Sequence, residues 1–342
     1  MADKTKIEWT DATWNPITGC SVVSPGCTNC YAMKLAGTRL AHTPSREGLT
    51  TPSKAGPVWN GKVRFNEQWL DQPWRWRTPR RIFVCAHGDL FHESVPDEWI
   101  DKVFAVMAVS ALHQFQVLTK RPERMRKYMQ ERFGAQSNIC SYAAEITRKP
   151  LMGAVVAMTM KKNGCLPNVW LGVSVEDQRR ADERIPILMD TPAAVRFLSV
   201  EPLLGPVSLA GFSQKNPLHW VIVGGESGPG ARPMHPAWPR LLRDECETAG
   251  VPFFFKQWGD WREPEEDEEF NTAYGRDGKP PAFLVDRDNG TVHCFYPKEN
   301  LPCEEEDARY KAMLCVGKKK AGRLLDGREW NEMPILEELV PQ

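Results

Sequence analysis

The sequence has no excess of charge: 44 Lys and Arg residues are matched by 44 Asp and Glu, for a formal net charge of zero. Bulk electrostatics therefore gives no reason to expect a polyanion as partner, although a local patch still could. Long apolar runs are missing as well. No stretch approaches the ~18 apolar residues of a membrane-spanning helix, so no membrane is expected as partner. The opening stretch MADKTKIEWTDATWNP has no apolar centre of the secretory kind, so the expected location is cytoplasmic. There is no repeat of fixed period and no long low-complexity tract. The run Gly224-Gly225-Glu226-Ser227-Gly228 lacks the Lys-Ser/Thr ending of a phosphate loop.

What is present begins with a fold pattern. The chain has 342 residues, 42% of them hydrophobic, which suits one large α/β barrel with extensions. Short, continuously apolar runs recur at Phe83 to Cys85, Phe115 to Leu118, Val169 to Val173, Val195 to Val200, Trp220 to Val223 and Val251 to Phe255. Strands buried on both faces read this way. A first strand is expected near Pro16 to Gly19. Helix-like stretches lie between, at Pro96 to His113, Pro122 to Phe133, Glu176 to Met189 and Pro236 to Ala249. Strands alternating with helices predict a parallel sheet, here a partial or full (β/α) TIM-like barrel. It would occupy residues 1–260 with an insertion at about 41–80, and residues 261–342 would form a C-terminal extension packed on it. The acidic run Glu263 to Glu269 reads as a solvated loop.

Each apolar run ends in polar or glycine residues, and in a parallel barrel these ends converge on one mouth, where active sites are built. His87 and Asp89 follow the second strand, Ser174 and Glu176 the fourth, Glu201 the fifth, Gly224, Gly225 and Glu226 the sixth, and Lys256 the seventh. His87, Asp89, Glu201 and Lys256 are the catalytic candidates. The first two could form an acid–base pair, and Lys256 could hold a carboxylate or phosphate.

Three of the 10 cysteines are clustered, as Cys20, Cys27 and Cys30 in TGCSVVSPGCTNCYAMK. Without export, a metal is a better expectation for them than a disulfide. Pro25 and Gly26 make a turn that can fold the chain around a metal group. Closely spaced thiolates suit an iron–sulfur cluster or zinc. A structural zinc site wants four closed ligands, so zinc would need His42, His87 or another cysteine. Three thiolates on a 4Fe-4S cubane leave one iron open. Such a vacancy is what cleavage of S-adenosylmethionine (SAM) requires, with the amino and carboxylate groups of SAM chelating that iron.

The segments KIEWTDATWNPITGCSVVSPGCTNCYAMKLA, WVIVGGESGPGARPMHPAWPRLLRDECETAGVPFFFKQWG and KKKAGRLLDGREWNEMP resemble a phage- and prophage-associated family of unknown function, itself similar to a divergent radical-SAM group. The resemblance runs from about Lys6 to Pro334. It implies a radical SAM enzyme in the cytoplasm, that of the host if phage-encoded. It also implies a 4Fe-4S cluster on Cys20, Cys27 and Cys30, SAM as second cofactor, and an electron donor such as flavodoxin or ferredoxin. By position, His87 to Asp89 would lie near the SAM amino group, Ser174 and Glu176 near its ribose or amino-acid portion, and Gly224, Gly225 and Glu226 beside SAM or substrate. Two features depart from the wider superfamily: six residues separate the first two cysteines, and Asn29 precedes Cys30 where an aromatic is usual. Tyr31 is the nearest aromatic and the candidate for the adenine contact.

The insertion contains KVRFNEQWLDQPWRWRTPRR. Its cations can meet phosphates and its aromatics can stack on bases. Arg64, Arg75, Trp76, Arg77 and Arg80 are the nucleic-acid candidates, against the plainer reading that the tryptophans pack the insertion down. With the phage setting, a DNA substrate with a hypermodified base is expected. Two alternatives stand beside it: a non-catalytic zinc-dependent nucleic-acid-binding protein, and a radical SAM enzyme acting on a protein or small metabolite.

Overall fold

The apolar runs form one parallel sheet in which neighbours in sequence are neighbours in space. The computed structural model describes residues 5–134, 136–212, 217–265, 282–294 and 309–335. Seven strands make the sheet: β1 (Ala12–Trp14), β2 (Arg81–Val84), β3 (Gln114–Thr119), β4 (Val169–Ser174), β5 (Val195–Val200), β6 (Trp220–Gly224) and β7 (Phe253–Gln257). Every pairing is parallel and the order follows the chain. Such singly wound order, with connecting helices, is the barrel pattern. The sheet curls into a half-barrel, so the partial form of the expected barrel is the one found.

The first strand differs from expectation. Ile17–Thr18 is not in the parallel sheet but pairs antiparallel with Arg64–Phe65 of the insertion. The sheet begins earlier, at Ala12–Trp14, which pairs with Ile82 to Val84. Three residues are too few to show a period.

Helices cover one face of the sheet. α1 (Tyr31–Gly37) packs instead on Leu49 and Trp59, and the covering helices are α2 (Asp97–Val109), α3 (Pro122–Lys127), α4 (Ile139–Thr147), α5 (Pro150–Asn163), α6 (Gln178–Met189) and α7 (Ala237–Ala249). The sequence pattern does not reveal α4 and α5. Leu151, Val155 and Met158 of α5 are exposed, so apolar residues there do not gather on one stripe. The other face of the sheet carries an aromatic cluster of Trp9, Trp170, Phe197, Trp220 and Phe254, with Phe83 against it. Gly172 makes room: a Cβ there would stand 2.6 Å from the Phe197 ring. These rings fill the interior below the mouth.

Beyond the barrel, Trp261–Arg262, Ala282–Asp286, Val292–Cys294 and Tyr310–Cys315 form an antiparallel sheet. Val285, Met313, Leu325 and Trp330 join the main core. The acidic run lies outside the described residues from position 266 onward. The tip of α7 meets this sheet at His235, which is 1% exposed. Burial, then Arg287, Lys311 and Arg240, push His235 down to about 4.

This His235 shift makes stability pH-dependent with a definite sign. A lowered histidine pKa means that the unfolded chain binds the proton first. Nothing changes above the unfolded value near 6.5, and stability falls as pH drops from about 6.5 to about 4. The expected loss from this one group is on the order of 2–3 kcal/mol. Urea unfolding at pH 7, 6 and 5 should show it, and His235→Asn should reduce the slope without abolishing it, because His87 is also pushed down to about 4. An equal slope in that variant would rule His235 out as the cause.

Candidate functional site

The cysteine segment leaves the barrel at Gly19. Gly19 donates its N–H to His87 O at 3.1 Å and bridges Gly88, so the loops after β1 and β2 are pressed together at the C-terminal mouth. The position needs glycine: φ is +95° and a Cβ would lie 2.2 Å from Lys62 O. Cys20 follows at once. The expected turn forms as a short 3-10 helix, Pro25–Cys27, with Cys27 N–H donating to Ser24 O at 2.9 Å and Cys30 N–H to Cys27 O at 3.2 Å. Cys27 Sγ lies 3.9 Å from Ser24 Oγ on the same turn. Cys20 and Cys30 also pack on one apolar patch of Ala32, Met33, Ala36, Leu49 and Trp59.

Donors face the sulfurs. Arg121 Nη1 is 3.6 Å from Cys20 Sγ. The N–H groups of Met33 and Ala32 and the Trp59 indole favour a thiolate at Cys30, although burial outweighs them and raises its pKa. Burial, then Asp89, push Cys20 up to about 12, with Arg121 opposing. These thiols therefore stay protonated until a cation replaces the proton. All three remain free cysteines. Among the described residues no three His, Cys, Asp or Glu side chains close around a single-ion position.

Polar groups at the strand ends grip this loop. Asp89, 5% exposed, accepts from Arg121 at 3.0 Å and from Thr119 at 2.8 Å. Arg121 also reaches Ser21 Oγ at 2.6 Å and Glu93 at 2.9 Å. Glu176 is fully buried between Lys120 at 3.2 Å and Arg184 at 3.0 Å, and accepts the Gly26 N–H at 3.2 Å. Burial works against its charge, but Lys120 and Arg184 hold its carboxyl below the usual range. Glu226 accepts from Asn29 at 2.9 Å and Arg232 at 2.6 Å, and Arg232 donates on to Pro25 O at 3.0 Å. Asp89, Glu176 and Glu226 thus hold the cysteine loop from three strand ends. Ser174, 6% exposed, gives its carbonyl to Arg184 at 2.8 Å. Glycine at 225 is required by backbone: a Cβ would meet Trp258 O at 2.0 Å. At Gly224 the nearest neighbour is the Glu201 carboxyl.

Tyr31 stands next to the cysteines. Its side chain is 52% exposed, and burial, then Cys30 and Glu201, raise its hydroxyl pKa, with Arg46 opposing. Its hydroxyl donates to Ala86 O at 2.6 Å, and its ring meets His87 edge-on at 5.8 Å. Burial, then Arg46, push His87 down to about 4, and its Nδ1 is buried without a partner. Across the mouth Lys256 Nζ holds both Glu201 oxygens, at 2.8 and 3.0 Å, and Gln257 adds a bond at 3.2 Å. So the structure gathers the cysteines, Tyr31, His87, Glu201 and Lys256 at one end of the barrel.

It does not gather the five nucleic-acid candidates. Arg64 lies on the mouth side, paired in register with Thr18 and donating to Pro44 O and to Glu47 O. Arg75, Trp76, Arg77 and Arg80 precede β2 and lie at the strands' N-terminal ends, where Gln114 N–H meets Arg80 O and Trp76 meets His113. There Arg75 pairs with Asp71, and Arg80 stacks 4.6 Å over Trp76. Sequence proximity hid this split, because the segment runs the length of the barrel. Arg46 and Arg232 escaped sequence reasoning; no motif marks them.

Comparison with known proteins gives one match. Residues 4–334 match a family described as a protein of unknown function, DUF5131. No curated protein and no solved structure matches the chain.

Proposed function

We propose that this chain, which belongs to the DUF5131 family, is a radical SAM enzyme in which Cys20, Cys27 and Cys30 hold a 4Fe-4S cluster. The observation that carries the reading is the gathering of these three cysteines on one clamped loop at the C-terminal mouth of a parallel half-barrel. The donor set fits such a cluster. Three soft ligands, N–H donors near sulfur and partial shielding from water are what an iron–sulfur site uses. The chemistry a bound cluster supplies is one-electron cleavage of a carbon–sulfur bond in SAM.

The chain's own groups do the rest. Arg121 offsets negative charge at Cys20 and ties Ser21 in place. Tyr31 and His87 wall the space next to Cys30. The Glu201–Lys256 pair is placed to hold or move a proton on substrate. The aromatic plug closes the lower end to water. Arg64 is the nucleic-acid candidate that lies on the mouth side, so a DNA base as substrate rests on it and on the phage association that the sequence resemblance implies.

The test is anaerobic reconstitution. Iron and acid-labile sulfide should load together, and 5′-deoxyadenosine should form from SAM under reduction. Stoichiometric zinc with no iron uptake would sink the proposal and favour a binding protein.

A further inference from the structure

Most arginines at the mouth have a carboxylate. Arg121 has Asp89 and Glu93, Arg184 has Glu176, and Arg232 has Glu226. Arg46 does not. It is 6% exposed, and among the described residues no carboxylate pairs with it. Its Nη1 donates to Ser45 Oγ at 2.7 Å, and its Nε is sealed from water with no acceptor. A buried cation without a partner is costly. Its charged neighbour Arg64 makes matters worse: burial, then Arg64, push Arg46 down to about 10.

Arg46 is nevertheless held in place. Thr18 donates to Ser45 O at 2.7 Å, and the guanidinium sits 5.9 Å from the Trp69 ring. Gly19, next to Thr18, donates its N–H to His87 O at 3.1 Å, so Arg46 sits beside the loop that carries His87. The Glu201 carboxylate of the mouth is taken by Lys256 and Gln257. A fixed guanidinium fork without a counter-ion, beside a histidine with an unused ring nitrogen, is complementary to an oxyanion.

We infer that Arg46 is the anion-recognition residue of the mouth, and that the substrate carries a phosphate or carboxylate which Arg46 receives with His87. Assigning the anion to substrate rests on the proposed function, because there the carboxylate of SAM is taken up by the open iron. Binding of an oxyanion at Arg46 does not depend on it.

The experiment is calorimetric titration of the full-length, anaerobically reconstituted protein with inorganic phosphate, acetate and SAM in separate arms. Phosphate or acetate should bind saturably. Arg46→Gln should weaken that binding roughly 10- to 100-fold. Arg46→Lys, which keeps the charge but loses the fork, should lie between. SAM affinity should be unchanged in both. No saturable oxyanion binding to the wild type overturns the inference, and so does wild-type affinity in Arg46→Gln. Loss of SAM binding in the variants overturns the assignment to substrate. Should Arg46→Gln fail to fold, the wild-type titration and Arg46→Lys still decide. Iron content of the same samples keeps the two ideas apart: a protein that never loads iron but binds phosphate through Arg46 retires the radical reading alone.

Discussion

Cys27→Ala, reconstituted anaerobically with iron and sulfide, is expected to lose its cluster and with it all deoxyadenosine formation above background. Under the proposed function Cys27 would be the middle ligand, on the short turn Pro25–Cys27 between Cys20 and Cys30. Removing it leaves two thiols, too few for a cubane with one open iron. Groups around a metal site, one step removed from the ligands, are typically worth about 10–100-fold in affinity or activity, so a true ligand should exceed roughly 100-fold. Cys20→Ala and Cys30→Ala should behave alike. Cys246→Ala, which removes a thiol from α7 that is 1% exposed, should load iron normally. The contrast separates ligation from general damage. Wild-type iron and turnover in Cys27→Ala would mean that the cysteines are packed thiols and nothing more.

Glu176→Ala should be the most destabilising single change at the mouth, at about 3–5 kcal/mol. The carboxylate is 0% exposed and has Lys120 and Arg184 on it. Truncation leaves two cations at a buried site with no counter-charge, and such uncompensated charge is what makes breaking a buried pair costly. It also releases the Gly26 N–H that docks the cysteine turn, so iron loading should drop as well. Urea unfolding would show a lower midpoint at unchanged slope. Glu176→Gln keeps the shape and part of the hydrogen bonding and should cost less. If Glu176 served only to touch a cofactor, stability would stay within about 0.5 kcal/mol, as for ordinary surface positions. That result would remove its clamping role.

Glu176 also shows how a correct location can carry a different part. As the polar residue just past the β4 strand it was legible as a mouth residue, and it is one. That its carboxylate grips the cysteine turn 150 residues away follows from no local pattern. The same holds for Asp89 and Glu226. Gly225 was legible as a place of close approach, and the approaching group is Trp258 backbone.

By itself the sequence determined the strand–helix alternation, the three-cysteine loop and its turn, and which strand ends would meet at the mouth. Val195 to Val200 coincides with β5, because a strand buried on both faces must be apolar at every step. Only the tertiary structure decided which charges meet. It moved the first sheet strand to Ala12–Trp14, split Arg64 from Arg75, Trp76, Arg77 and Arg80, and left Arg46 without a counter-ion. Periodicity reports what a residue's own element buries. Ion pairing depends on distances between elements, and those are set when the whole sheet curls.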